Sequence, residues 1–279
     1  MPEGDTIYRT ARALARAIGG KVVTNFETGL AKLARVNDDT PVVGRVIEKV
    51  ESRGKWCLIN LSGELILVTH MLMSGSWHLY RTGERWRMGR NRMRIVIGTS
   101  DWEAVAFNVQ VAEFYTARSL ARNSQIPTLG PDVLSLTFTV SGGVEQLAAF
   151  ARADPEEEIA AALLNQRVLA GLGNVYKSEV LFSAGVNPFR SMKTITTREM
   201  ERIVEFAQRY MRANVADGKG DGIVTHAGVR RTTRAMDHEA RLWVYRRQGQ
   251  ECRRCGAVVM MRKQGVQARS TYWCPECQP

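Results

Sequence analysis

Nowhere does the sequence approach the roughly 18 consecutive apolar residues that a membrane-spanning helix needs, and no apolar signal region follows its first residues. These absences argue for an intracellular, cytoplasmic protein, where thiols stay reduced. Cysteine is scarce, five in 279 residues, so each reads as a metal ligand or small core residue rather than half of a disulfide. Acid is in deficit as well: 28 Asp and Glu face 39 Lys and Arg, for a net charge of +11. That surplus favours polyanionic partners through counterion release without saying which polyanion. There is no internal repeat and no low-complexity segment. The length suffices for a sizeable core and for two or more domains.

Residues 5–18 place Ile7, Ala11, Leu14 and Ile18 on one helical face, and Gly19-Gly20 ends the run. From 21 to about 115 the texture becomes short β-branched runs: 21–27, 42–52, 56–61, 65–69, 94–98 and 103–107. Turn pairs such as Ser62-Gly63 and Thr82-Gly83 fit hairpins between them. Many short strands without long intervening helices predict an antiparallel sandwich or barrel. Residues 127–141 read as a linker. Helices are expected at 156–165, entered through Asp154-Pro155 as cap and first position, then at 175–184 and 197–213.

The strongest motif is Cys252-Arg253-Arg254-Cys255 followed, after 18 residues, by Cys274-Pro275-Glu276-Cys277. Four thiolates in two such knuckles close a tetrahedral zinc site with no open position, so one architectural zinc is expected. The intervening runs 257–263 and 266–273 alternate like strands about Gln264-Gly265, a metal-held hairpin. Residues 241–273 carry eight Arg or Lys and a single acid, Glu251. A small basic hairpin suits a phosphate backbone, with Arg269 near the turn as a natural contact; a solvated charged surface is the plainer alternative. Cys57 lies in a strand-like run and reads as core.

Three other places can carry chemistry or simply structure. Gly171-Leu172-Gly173-Asn174 permits a tight turn, with Asn174 opening a helix whose free N–H groups attract an anion; an ordinary helical hairpin uses the same residues. Lys55 sits in an expected hairpin turn, Ser52-Arg53-Gly54-Lys55-Trp56. Met71-Leu72-Met73 ends a strand, as core or as a wedge for a base stack. At the start stands Met1-Pro2-Glu3-Gly4-Asp5. If Met1 is removed, Pro2 becomes a terminal secondary amine. Such α-amino groups have a pKa of about 7.7–8.0, so much of the population is a neutral nucleophile at cellular pH. A helix entrance would use Pro2 and Glu3 equally well.

Together these residues resemble the formamidopyrimidine-DNA glycosylase/endonuclease VIII family: Pro2-Glu3-Gly4, Ser52-Arg53-Gly54-Lys55, residues 171–179 and the terminal cysteine hairpin, in the family's order. The resemblance implies an α+β multidomain fold. It would comprise an N-terminal helix and antiparallel β-sandwich (1–126), a linker (127–141), a helix–two-turns–helix domain (142–240) and a zinc-bound hairpin (241–279). It implies a monomeric DNA glycosylase/AP lyase of base excision repair, acting on damaged double-stranded DNA. In the catalytic group Pro2 is the nucleophile, Glu3 moves protons, and Lys55 contacts phosphate near the lesion. Asn174 and Arg269 bind phosphate, and Met73 fills the gap left by the extruded nucleotide. Cleavage by β,δ-elimination follows, with no redox cofactor or catalytic metal.

Two departures bear on substrate. The formamidopyrimidine branch carries an Arg-any-Phe pair where this chain reads Ala106-Phe107-Asn108-Val109-Gln110-Val111, which favours the endonuclease VIII-like branch and oxidised pyrimidines. Many members also carry an acid three residues after Glu3, where this chain has Thr6 beside Asp5. The loop 218–234, with its Arg230-Arg231-Thr232-Thr233-Arg234 run, is where relatives cover the extruded base. The competing readings are a purine-directed enzyme of the same family and a non-catalytic protein that binds damaged DNA.

Overall fold

Ile7, Ala11, Leu14 and Ile18 recur at helical spacing, and in the computed structural model they form the buried face of α1 (Gly4–Ile18). The structure describes residues 2–122, 126–216, 223–226 and 241–279, and the chain divides into two units, Met1–Thr128 and Leu129–Pro279. Glu3, the cap residue of α1, makes no side-chain capping bond. Packing holds this helix instead: each of its buried large aliphatics contributes roughly 1.5–3 kcal/mol.

The first unit is a sandwich of two four-stranded antiparallel sheets. One has the order β1 (Asn25–Thr28), β6 (Met93–Gly98), β7 (Trp102–Phe107), β5 (Ser76–Arg81). The other runs β2 (Ile47–Arg53), β3 (Trp56–Leu61), β4 (Leu65–His70), β8 (Val111–Tyr115). The period-2 alternation sorts side chains by face. Cys57, Ile59 and Leu61 of β3 meet Ile95 and Ile97 of β6, Ala104 and Ala106 of β7, and α1 in the inter-sheet core. Leu58, Ile66 and Val68 face outward beneath Leu120 of α3 (Ala117–Arg122) and Ile126. Cys57 is core, as expected, and burial pushes its thiol up to about 12.

Strands β5 and β8 and helices α2 (Ala31–Asp39) and α3 were not expected. Their signals are weak for a physical reason: α2 and α3 each bury one side chain, Leu33 and Leu120, so neither shows a full apolar stripe.

The second unit holds α4 (Val140–Ala153), α5 (Ile159–Leu164), α6 (Asn174–Ala184), α7 (Thr197–Ala216) and the hairpin β9 (Met260–Gln264)–β10 (Arg269–Trp273). The reading of Asp154-Pro155 as a helix entrance is overturned: Asp154 closes α4, and α5 begins only at Ile159. Helix α4 opens where the Thr139 hydroxyl accepts the Gly142 N–H at 3.1 Å. Glycine hid it from the sequence, yet Gly143 is required, because a Cβ there would stand 2.7 Å from Val204 Cγ1 on α7. The hairpin strands are shorter than expected, with 265–268 forming the turn between them. No described helix is long and apolar enough to cross a membrane.

Candidate functional site

Strand register gathers several turns at one end of the sandwich. Arg53 pairs with Trp56 and Trp56 with His70, while His70 pairs with Val111 in the same sheet. In the other sheet Ser76, Phe107 and Met93 are aligned. Turn 54–55, turn 71–75 and turn 108–110 therefore emerge side by side. Gly54, with φ +56°, takes the first central position of the β2–β3 turn, where a II′ hairpin needs a positive φ. That geometry presents Lys55, which is half-buried.

His70 lies beside it. Burial, and next the Lys55 charge, push the His70 imidazole down to about 4, so it is neutral at cellular pH. Its Nδ1 accepts the Leu72 N–H at 3.1 Å, and its ring meets the Trp56 ring edge-on at 4.7 Å. This bond shapes the following turn, where Met71 is core but Met73 is 64% exposed. Leu72, at φ +49°, is also exposed, an apolar projection that the sequence reading did not separate from Met73.

Helix α1 aims at the same end. The Gly20 N–H donates to the Ile47 carbonyl at 2.8 Å, so the helix finishes beside the start of β2 and lies along that strand. Its N-terminus is thus carried toward Arg53 and the Lys55 turn. Glu3 is wholly buried at the cap position, and half-exposed Pro2 precedes it. Pro2 therefore does not occupy the first helical position, the place where proline serves a helix entrance. Buried Asp5 pairs with Arg9 one turn on, at 3.6 Å.

In the second unit, α5 and α6 are joined by two consecutive turns, and one side chain ties them together. Gln166 Nε2 donates to the carbonyls of Leu164 and Leu172, both at 2.9 Å, while its Oε1 accepts the Gly171 N–H at 3.0 Å. Residues read as linker pack here as well. The Gly130 N–H donates to the Gln166 carbonyl, and Ala170 N–H to that of Pro131. A Cβ at Gly130 would stand 2.5 Å from the carbonyl oxygens of Arg167 and Val168.

These turns deliver Asn174 as the first residue of α6. Its Nδ2 donates to the Ser270 carbonyl at 2.9 Å, beside Arg269 at the start of β10. Asn174 and Arg269 are thereby brought together, although nearly 100 residues apart in sequence. Arg269 Nε and Nη2 both rest on Gln267 Oε1, which preorients the guanidinium at the hairpin turn. The N-terminus of α6 lies here too, the positive end of the helix dipole, where an anion is favoured.

The four knuckle cysteines converge. Their sulfurs lie within 4.8 Å of one another, with Cys255–Cys274 at 3.4 Å and Cys252–Cys277 at 3.9 Å. Zinc–thiolate bonds of about 2.3 Å in a tetrahedron put sulfurs roughly 3.8 Å apart, so the set fits a metal ion. The Arg254 N–H already points at Cys252 Sγ, 3.4 Å away. Phe182 of α6 packs against Cys252 and Cys274, seating the module on the helix.

The expected basic face of residues 241–273 is only partly a face. Arg247 is buried, bonded to the carbonyls of Trp243 and Glu251, and Arg254 lies 4.3 Å over the Phe182 ring. Arg262 stacks on Phe189 at 3.7 Å and pairs with Glu158. Glu179, fully buried, is a residue whose role sequence reasoning missed. Its carboxylate accepts the Thr225 hydroxyl and the N–H groups of Trp243, Val244 and Tyr245 at 2.8–2.9 Å, pinning the strand of chain that enters the cysteine module. The loop 218–234, including Arg230–Arg234, lies outside the described residues except for 223–226.

Comparison with known proteins bears on the whole chain. Residues 1–114 match the family model described as the formamidopyrimidine-DNA glycosylase N-terminal domain, and residues 129–225 the H2TH domain of the same glycosylase. The chain is 35% identical to the probable endonuclease 8 2 of Streptomyces coelicolor, covering all of this chain and 94% of that one. It is 34% identical to the DNA-(apurinic or apyrimidinic site) lyase Nei2 of Mycolicibacterium smegmatis, covering 100% and 99%. Endonuclease 8 of Escherichia coli is 29% identical over the full length of both. The fold is shared with the Fpg of Lactococcus lactis, solved in complex with DNA containing an abasic site, at a TM-score of 0.79, 21% identity and 99% coverage of each chain.

Proposed function

The chain belongs to the formamidopyrimidine-DNA glycosylase/endonuclease VIII family, and from that premise we propose that it is an endonuclease VIII-like DNA glycosylase and AP lyase of base excision repair. The observation that carries the chemistry is the placement of Pro2 two residues before α1, ahead of the buried cap residue Glu3, where it serves no helical purpose. With Met1 removed, its neutral nitrogen attacks the anomeric carbon of an extruded nucleotide. The new N–C bond forms as the glycosidic bond breaks, and the base leaves with its electron pair and takes up a proton. The adduct is an iminium after loss of the ring C–O bond, an electron sink that acidifies the neighbouring sugar proton. Removing that proton expels the 3′ phosphate, and a second elimination expels the 5′ phosphate. Glu3 is the group beside the amine for these transfers.

The remaining residues bind and orient. Lys55, Asn174 and Arg269 engage phosphates, and exposed Met73 with Leu72 fills the gap in the stack, offsetting an extrusion cost of a few kcal/mol. Cys252, Cys255, Cys274 and Cys277 would hold one zinc ion, which supplies a rigid hairpin; four protein ligands leave no position for substrate. Oxidised pyrimidines are favoured because turn 108–110 carries no arginine and Phe107 is wholly buried in the outer cluster with Tyr80 and Trp86, unable to act as a wedge.

Borohydride trapping on an abasic-site duplex tests the reaction: a covalent complex should form, and a form retaining a residue before Pro2 should lose it while still binding DNA. Absence of trapping by the processed protein would leave a damaged-DNA-binding protein. Parallel duplexes with thymine glycol and 8-oxoguanine decide the branch, the first being cut preferentially.

A further inference from the structure

Residues 81–94, connecting β5 to β6, carry six arginines and one acid, Glu84. Three arginines are committed within the protein. Arg81 lies 4.0 Å over the Trp102 ring, Arg90 holds both Glu27 oxygens at 2.7 Å, and Arg94 donates to the carbonyls of Asn91 and Met93. The nearby carboxylates are committed as well. Glu84 accepts the Arg81 N–H, Glu103 the Trp86 indole N–H, and Asp101 is paired with Lys21. Arg85, Arg87 and Arg92 are exposed and form no ion pair among the described residues. Three cations thus stand unneutralised on one connection.

That connection is not a loose loop. Trp86 packs edge-on against Phe107 at 5.9 Å, and the Arg87 N–H donates to the Tyr80 hydroxyl at 3.2 Å, laying the segment across the outer face of the sheet. The Asn108 N–H then donates to the Arg92 carbonyl at 2.8 Å. Arg92 is therefore fixed beside turn 108–110, at the same end of the sandwich as Lys55 and Met73. Here the family's arginine is missing from the turn, and a cation from another connection stands next to it.

We propose that Arg87 and Arg92 form a second phosphate-contacting surface, which grips the backbone of duplex DNA beside turns 71–75 and 108–110. The inference rests on the DNA-binding reading above. Exposed guanidinium forks on an anchored backbone suit phosphate oxygens. Arg92 stands at the site end, Arg87 follows on the same connection over Tyr80, and unneutralised charge running up to the site favours nucleic acid over an acidic protein.

The test uses the full chain, a duplex carrying a tetrahydrofuran abasic analogue, and binding measured from 50 to 200 mM KCl. Each lost phosphate contact lowers the slope of log K against log salt by about 0.9, so R87Q/R92Q should lower it by about 1.8. R87K/R92K should retain the slope, and Arg118→Gln on α3 should leave it unchanged. An unchanged slope in R87Q/R92Q, or a loss that the lysine variant fails to restore, overturns the proposal. Should the wild-type protein itself show no salt-dependent binding, the DNA-binding reading fails instead.

Discussion

Lys177 on α6 donates from Nζ to Thr271 Oγ1 on β10 at 2.7 Å, with both residues buried. The hydroxyl in turn donates to Gln264 Oε1 at 2.6 Å, and Gln264 Nε2 donates to Glu158 Oε2 and the Pro188 carbonyl. One polar chain therefore links α6, both hairpin strands and the cap of α5. It holds the hairpin, and with it Arg269, in register with Asn174.

Replacing Lys177 by Met preserves much of the stem's packing and removes the charged donor. Hydrogen bonds to charged groups contribute about 1.5–3 kcal/mol, so Lys177→Met should destabilise the second unit by about 2 kcal/mol. Urea unfolding checks the loss. Binding to an abasic-site duplex should weaken in parallel, since Ser270 and Arg269 lose one of their anchors.

Glu179 presents a harsher case, because three backbone N–H groups converge on a single carboxylate. An alanine there leaves those donors buried without a partner, at about 1–3 kcal/mol each before relaxation and water entry. Glu179→Ala should therefore cost at least about 3 kcal/mol and lower the metal content of purified protein. Full stability and full metal content in the variant would show that the pin is dispensable.

His70 sets a pH dependence whose sign follows from its environment. Burial, and then Lys55, hold its folded-state pKa near 4 against 6.5 for the free group. Above 6.5 neither the folded nor the unfolded state binds the proton, and the imidazole adds no pH dependence. As pH falls from 6.5 toward 4 the unfolded chain gains a proton that the folded one refuses, so stability declines across that window. His70→Gln removes this contribution: its melting temperature should fall less than that of the wild type between pH 7 and pH 5. Identical pH profiles would count against a depressed His70.

How much of this was legible beforehand differs from element to element. The stripe of α1, the strands 56–61 and 65–70 and the cysteine knuckles follow local rules of spacing, and spacing is what a sequence displays. The Arg254 stack on Phe182 and the burial of Arg247 were not legible, because an arginine in a basic run looks alike whether it meets solvent or a ring. Helix α4 was hidden by Gly142-Gly143, whose value lies in contact with Val204 some 60 residues away. Gln166 and Glu179 were missed for the same reason: each satisfies backbone groups that only the finished turns bring together. The Asn174–Arg269 pairing was reachable only through family resemblance, and its geometry depends on the Ser270 carbonyl.

The cysteine site makes the last prediction, and it separates architecture from chemistry. Four sulfurs within 4.8 Å of one another crowd four thiols into a space suited to one cation, and a zinc ion would turn mutual repulsion of thiolates into coordination. Cys255 is the exposed member of the set, so Cys255→Ser changes a ligand without opening the core around Cys252 and Cys274. The variant should purify with less than one equivalent of zinc and bind an abasic-site duplex more weakly. Hairpin order, read from Trp273 fluorescence, should fall with metal content. Borohydride trapping at saturating DNA should persist, because the amine of Pro2 belongs to the other unit. Loss of trapping at saturation would mean that the metal site does more than position a phosphate-binding hairpin, and unchanged DNA affinity would remove the hairpin from the interface.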